Sequence, residues 1–218
     1  LVSIIILPED MVYKNFLFRI ILSLFIFFLY FISLQKTFFL LIFGISIYLI
    51  IFIEIKINFK KYFYLIFFYC SISFISFLIY FYYFFYYYLF NLLVFVIISF
   101  DTLSYLFGSF FGKIYPFKSI SPNKTLEGYL GGVISTNLLY YLYIYFTSNY
   151  TDQFISIILL NSFIVFSIIG DLMQSIFKRK NYIKKLSSFL PGHGGFFDRF
   201  DSFVSSIIFL LLYSLSYL

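Results

Sequence analysis

The chain has 218 residues, 63% hydrophobic and only 11% charged, with a net charge of +6. Average globular chains carry about 25% charged residues, and the apolar runs here are too long and continuous for a soluble core. Runs of about 20 residues suffice to cross a bilayer as helices, and the lack of polar–apolar alternation sets a transmembrane β-barrel aside.

The first apolar run follows Met11, which Glu9 and Asp10 precede. Two readings of the start stand side by side: Met11 as the first residue, or a non-standard start codon at Leu1. A cleaved signal peptide fits less well, because no small-x-small site follows the run. Seven spans are expected, at roughly 20–34, 37–55, 62–80, 83–111, 129–147, 154–177 and 202–218. The division near Phe81 rests on length alone, since 62–100 is nearly free of charge. The fold class is therefore all-α: a polytopic integral membrane protein with about seven transmembrane helices. It divides into N-terminal hydrophobic spans (1–100, three to four helices) and a catalytic membrane region with cytoplasmic loops (101–218). No internal repeat, soluble domain or long linker is visible.

The basic residues support this count. With seven spans, Lys14, Arg19, Lys56, Lys60, Lys61, Lys113, Lys118, Lys124, Lys178, Arg179, Lys180, Lys184, Lys185 and Arg199 lie on one side, and Lys36 alone on the other. The positive-inside rule makes the crowded side cytoplasmic. The net charge thus reads first as topology, with some attraction to anionic headgroups, and implies no nucleic acid partner. Cys70 lies in an apolar run, so neither a disulfide framework nor a cysteine metal site is present. The chain has no Ala and no Trp but 37 Phe and 23 Tyr. That pattern reads as the coding bias of an AT-rich genome, so aromatic richness says little about function.

Acids within or beside membrane spans are costly and usually functional. Glu9, Asp10 and Asp152 are terminal or loop residues, and Glu54 sits at a span end beside Lys56, where snorkelling or pairing accounts for it. The other five, Asp101, Glu127, Asp171, Asp198 and Asp201, converge on the cytoplasmic side, as one site would require. In "DTLSYLFGSFFGK" (101–113), Asp101, Tyr105, Gly108 and Gly112 share a helix face, and glycines there permit close helix approach. In "SPNKTLEG" (121–128), Ser121 before Pro122 reads as an N-cap with proline at the first helical position. A helix start with Lys124 nearby suits phosphate; a plain capped surface helix is the simpler alternative. In 170–202, Asp171, Ser175 and Lys178 share one face, and Asp198 and Asp201 lie three apart on the last helix. Between them stand the only histidine, His193, and Gly192, Gly194 and Gly195, which let backbone approach a ligand. Carboxylates, cations and glycine turns together point to metal-assisted phosphate chemistry at a membrane surface. A transporter would also use buried acids, but with charges spread in depth or with inverted repeats.

The stretch Ser175, Phe177, Lys178, Arg179, Lys184, Ser187, Leu190, Pro191, His193, Gly194, Gly195, Asp198, Arg199, Asp201 resembles the long signature of bacterial phosphatidate cytidylyltransferases (CDP-diacylglycerol synthases). "GDL" at 170–172, "SPNKTLEG" and the Asp101–Lys113 pattern are similar to that family in order and spacing, so the resemblance covers about 101–202. Two positions depart: Lys185 stands where the family has Asp, and Gln174 where it has Glu. The resemblance implies cytidylyl transfer from CTP to phosphatidic acid, giving CDP-diacylglycerol and pyrophosphate. It implies Mg²⁺ at Asp171 and Asp198 with support from Asp101 and Asp201, and a second cation such as K⁺ as an option. Lys124, Lys178 and Arg199 would hold phosphates, with Arg179 and Ser121 as lesser contributors. Ser175, Gly194 and Gly195 would line the substrate site, and His193 would position a phosphate or transfer a proton. The implied setting is a bacterial inner membrane, with the site on its cytoplasmic side and the protein as a homodimer. A CTP-dependent polyprenol or lipid kinase of related architecture, and a family member impaired by Lys185 and Gln174, remain as alternatives. The D-G-x2-A-R motif of alcohol phosphatidyltransferases is absent.

Overall fold

Ile, Phe and Tyr favour strands in water. Where the backbone has no water to bond, a helix satisfies every N–H and C=O within its own segment. A computed structural model describes residues 26, 28–147, 153–183 and 195–216, and these contain no strand. A helical stretch at 28–33 leads to α1 (Thr37–Asn58), α2 (Phe63–Ile79), α3 (Tyr87–Phe111), α4 (Leu126–Thr147), α5 (Gln153–Lys180) and α6 (Phe197–Leu215).

Four stretches, Thr37–Asn58, Phe63–Phe84, Tyr87–Phe111 and Ser156–Lys180, are long and apolar enough to cross a membrane. α4 differs in carrying Gly128, Gly131 and Gly132, and α6 in opening with Asp198, Arg199 and Asp201. Each helix expected from 37 onward has a counterpart, while most of 20–34 lies outside the described residues. The break expected near Phe81 falls later. α2 continues into a π turn at Tyr80–Phe84, and the chain opens only at 85–86. The Tyr80 hydroxyl fixes that opening by donating to the Tyr86 carbonyl at 3.1 Å and accepting the Tyr86 N–H at 3.3 Å.

Small residues set the closest helix contacts. At Gly128, an added Cβ would lie 2.7 Å from the Ser104 carbonyl oxygen and 3.1 Å from Gly108 Cα. The close approach expected of the Gly108 face is therefore to α4. Tyr105, on the same sequence face, is 75% exposed. Polar ties complete the packing. Ser73 Oγ donates to the Val204 carbonyl at 2.7 Å, so its single proton is committed and it accepts from the Tyr48 hydroxyl at 2.5 Å. That relay joins α1, α2 and α6.

Asn137 of α4 and Asn161 of α5 exchange reciprocal amide hydrogen bonds at 3.1 Å. Replacing either by Leu should lower stability by about 1 kcal/mol, since the remaining amide loses its partner. The double replacement should recover part of the loss in detergent thermal unfolding. Simple addition of the two losses would show that the amides do not depend on each other.

Candidate functional site

Four elements converge on the charged end of the helices: the second half of α3, the loop before α4, the second half of α5 and the first turns of α6. The loop is closed by its own chemistry. The Glu127 carboxylate accepts the N–H groups of Lys113 at 3.0 Å and Ile114 at 3.2 Å, and Leu126 N–H donates to the Ile114 carbonyl at 2.9 Å. Glu127 thus fastens the α3–α4 loop instead of joining the other acids. The N-cap is Thr125, not Ser121. Thr125 Oγ1 accepts Gly128 N–H at 3.1 Å, and Tyr129 N–H bonds the Thr125 carbonyl at 3.1 Å. Pro122 instead lies in a turn, with Lys124 N–H 3.4 Å from the Ser121 carbonyl, so the chain turns once more before the helix begins. Lys124 is left just before the cap, and its ammonium pairs with Asp171 of α5.

A second ion pair lies beside the first. Lys178 Nζ is 2.9 Å from Asp198 Oδ1, and Gln174 Nε2 donates to the same oxygen. The other oxygen, Oδ2, accepts Gly195 N–H at 3.3 Å. The four charged side chains are only 17–30% exposed, so each pair is screened less than a surface pair and loses much if one partner is removed. Asp201 is buried, and its Oδ1 accepts Ser202 N–H at 2.8 Å. Ser202 Oγ lies 3.5 Å from Asp101 Oδ2 and 3.4 Å from the Ser167 carbonyl. Burial holds the Lys124 ammonium below the usual lysine range, with Lys178 adding to this and the Asp101 and Asp201 carboxylates opposing it. Arg199 is exposed, within the electrostatic reach of Asp101.

Of the residues expected from sequence, Asp101, Lys124, Asp171, Lys178, Asp198 and Asp201 are brought together, with Gly195 bonded to Asp198. Ser175 is buried on α5. Arg179 Nε donates to the Ile120 carbonyl at 3.0 Å, which ties the Lys124 loop to the end of α5. His193 and Gly194 lie outside the described residues, as does Lys185. Gln174, noted in sequence only as a departure, is 1% exposed and bonded to Asp198. A neutral amide donates to Asp198, where a second carboxylate would repel it.

Two residues were not legible as part of this site. The Tyr129 hydroxyl is buried without a hydrogen-bond partner among the described residues and lies in the field of Asp101. Glu54 is 4% exposed and accepts the N–H groups of Phe196 at 3.0 Å and Phe197 at 2.7 Å. Snorkelling beside Lys56 does not describe it. A helix start leaves unpaired N–H groups and a partial positive charge, and Glu54 meets both. The available signal was that Glu54 is the only acid between Asp10 and Asp101.

Among the described residues, no three of His, Cys, Asp and Glu form a ready-made metal site. The donor chemistry nonetheless fits Mg²⁺, which takes one or two carboxylates and completes its shell with substrate phosphates and water. Asp171 and Asp198 each already hold a positive group against carboxylate oxygen.

The sequence model of the cytidylyltransferase family matches residues 6–217. A phosphatidate cytidylyltransferase of Staphylococcus haemolyticus is 38% identical over 104 residues, 48% of this chain and 40% of that protein. One from Haemophilus influenzae is 38% identical over 113 residues (50% and 39%), and one from Staphylococcus aureus strain COL is 40% identical over 104 (48% and 40%). The matched stretch spans well under half the length of these relatives.

Gly170 provides a direct test of the assembly. A Cβ there would collide with the Asp201 carbonyl and Ser205 Oγ, and Asp171 is its neighbour. Gly170→Ala should push α6 from α5 and cost about 1–3 kcal/mol, read as a lower unfolding temperature. An unchanged temperature would show that the two helices are not in this contact.

Proposed function

Because the chain belongs to the cytidylyltransferase family, we propose that it transfers the cytidylyl group of CTP to phosphatidic acid, giving CDP-diacylglycerol and pyrophosphate. The observation that carries this reading is the adjacent pair of lysine–aspartate contacts, Lys124–Asp171 and Lys178–Asp198, on three converging elements. The names of the relatives support the same substrates.

In this reading a phosphate oxygen of phosphatidic acid attacks the α-phosphorus of CTP. The new P–O bond forms as the bond to the bridging oxygen breaks, and pyrophosphate leaves in line. Such a reaction needs positioning and charge neutralisation more than covalent help from the protein. The resting ion pairs suit it: a substrate phosphate competes with Asp171 for Lys124 and with Asp198 for Lys178. Arg199, exposed beside them, offers a planar fork for a further phosphate. Arg179 holds the loop that carries Lys124, and the Tyr129 hydroxyl is a donor without an acceptor among the described residues. Ser121 and Ser175 border the two lysines in sequence, and the resemblance gives His193 and Gly194 a place against the substrate phosphates. Mg²⁺ held by Asp171 and Asp198, with Asp101 and Asp201 behind them, would neutralise phosphate charge and pair with the carboxylates that the lysines leave.

The setting we propose is a bacterial inner membrane crossed by seven helices. The loops at 56–61, 112–125 and 178–199 would then face the cytoplasm. A polar cavity there would admit nucleotide from water and lipid from the side, since polar groups at membrane depth must line water or protein.

Purified protein given CTP labelled at the α-phosphate, phosphatidic acid and Mg²⁺ should place label in the lipid. Label remaining in CDP while the γ-phosphate reaches lipid would replace this reading with a kinase. Asp198→Asn and chelation of Mg²⁺ should each abolish transfer, and an unchanged rate in either would remove that group from the mechanism. Lys185→Asp should leave the rate within about threefold if the chain is fully competent, whereas a gain of about a hundredfold would mark it as impaired.

Gln174→Glu sets a second carboxylate against Asp198. It should lower the unfolding temperature without divalent cation and enlarge the rise on adding Mg²⁺. An equal rise in both proteins would count against Asp198 as a ligand.

A further inference from the structure

The α1–α2 connection reaches the site from the half of the chain that sequence reads only as apolar spans. It makes two separate attachments. Glu54, in the last turns of α1, accepts the N–H groups of Phe196 and Phe197. Beyond the end of α1, Lys61 N–H donates to Asn181 Oδ1 at 2.7 Å. Lys61 Nζ lies 4.8 Å from the centre of the Tyr182 ring, and Lys180 Nζ lies 4.8 Å from that of Tyr62. Tyr62 and Tyr182 are also the two non-glycine residues of positive φ among those described, at 57° and 58°. Tyrosine holds a left-handed backbone only where its surroundings fix it, and this reciprocal clasp does so at both.

The attachments flank the site. The clasp grips the chain just past Lys178, at Lys180–Tyr182. The Glu54 carboxylate grips α6 immediately before Asp198. α6 has no side-chain cap of its own: its N-cap position is Phe196, and Phe197 follows. Two of the first N–H groups of the helix, those of Phe196 and Phe197, are met instead by an acid 142 residues earlier, and Arg199 N–H closes the turn on the Phe196 carbonyl at 3.0 Å. A single segment, 54–62, therefore fixes both the element carrying Gln174 and Lys178 and the element carrying Asp198 and Asp201.

We infer that Glu54 is a positioning residue of the active site: by capping α6 from α1 it sets Asp198 and Asp201 against Lys178 and Lys124, with the Lys61–Tyr62 clasp holding α5 in the same frame. Its activity readout rests on the cytidylyl-transfer reading, and its structural readout does not. Glu54→Gln keeps the shape but loses the charge and one of the two acceptors, and Glu54→Asp keeps the charge at shorter reach.

The test compares the full chain and both variants in detergent, well below their unfolding temperatures. Amide hydrogen exchange is followed at Phe196, Phe197 and Arg199, and kcat and KM for CTP are measured alongside. In Glu54→Gln those amides should exchange about tenfold faster or more, and kcat should fall about tenfold with KM within about twofold, as small displacements of catalytic groups do. Glu54→Asp should lie between wild type and Gln on both scales, and decides the matter alone if Gln fails to fold. Unchanged exchange overturns the inference. So does faster exchange with unchanged kcat, which would reduce Glu54 to a structural cap. Should wild type transfer no cytidylyl group, the functional reading falls, while the exchange comparison still decides whether Glu54 holds the first turn of α6.

Discussion

A carboxylate close to hydrocarbon survives as an anion only beside a cation or a set of N–H donors. The rest of this structure is arranged around meeting that demand. Asp171 has Lys124; Asp198 has Lys178, Gln174 and the Gly195 amide; Asp201 has the Ser202 amide; Glu54 has two amides of the last helix. Apart from Ser202 and Gly195, which are near neighbours in sequence, these partners come from other elements of the fold. Lys124 comes from a loop, and it reaches α5 because Thr125 caps α4, Glu127 closes the loop and Arg179 ties it down. Glycines at 108, 128 and 170 bring the helices near enough for short polar contacts to form.

On the proposed reading, the same pairings would make the site responsive to polyanions. An ammonium held by a carboxylate is already desolvated and aimed, so a phosphate that displaces the carboxylate meets a prepared donor. On that reading the carboxylate left behind would be free for a divalent cation. Balance of charge is kept through the exchange, which matters where water is scarce.

Much of the fold was legible because the bilayer leaves few choices. Apolar runs of spanning length locate α1 to α6 within a few residues, although Ile, Phe and Tyr on their own argue for strands. The convergence of Asp101, Asp171, Asp198 and Asp201 was legible too, because a costly residue at matched depth signals a shared site. What escaped was whatever depends on partners distant in sequence. Glu54 looked like an end-of-span acid, since nothing in "IFIEIKIN" names a helix 142 residues away. Ser121 was read as the cap because Ser-Pro is a strong local pattern, and only the folded turn at Pro122 shows that the helix opens at Thr125. Gln174 read as a loss, although its amide donates to Asp198. The break after α2 moved because a π turn lets the aromatic run continue past Phe81.

The borrowed cap on α6 also bears on the order in which the protein matures. In a chain made from its N-terminus, α1 is complete long before Phe196 exists, and α6 emerges after α1 to α5. Its first turn closes partly on its own residues, with Arg199 N–H on the Phe196 carbonyl at 3.0 Å, while the N–H groups of Phe196 and Phe197 await Glu54. Docking against a helix already in place completes that turn and steadies the carboxylates that follow it. Assembly of the bundle and completion of the candidate site are thereby coupled.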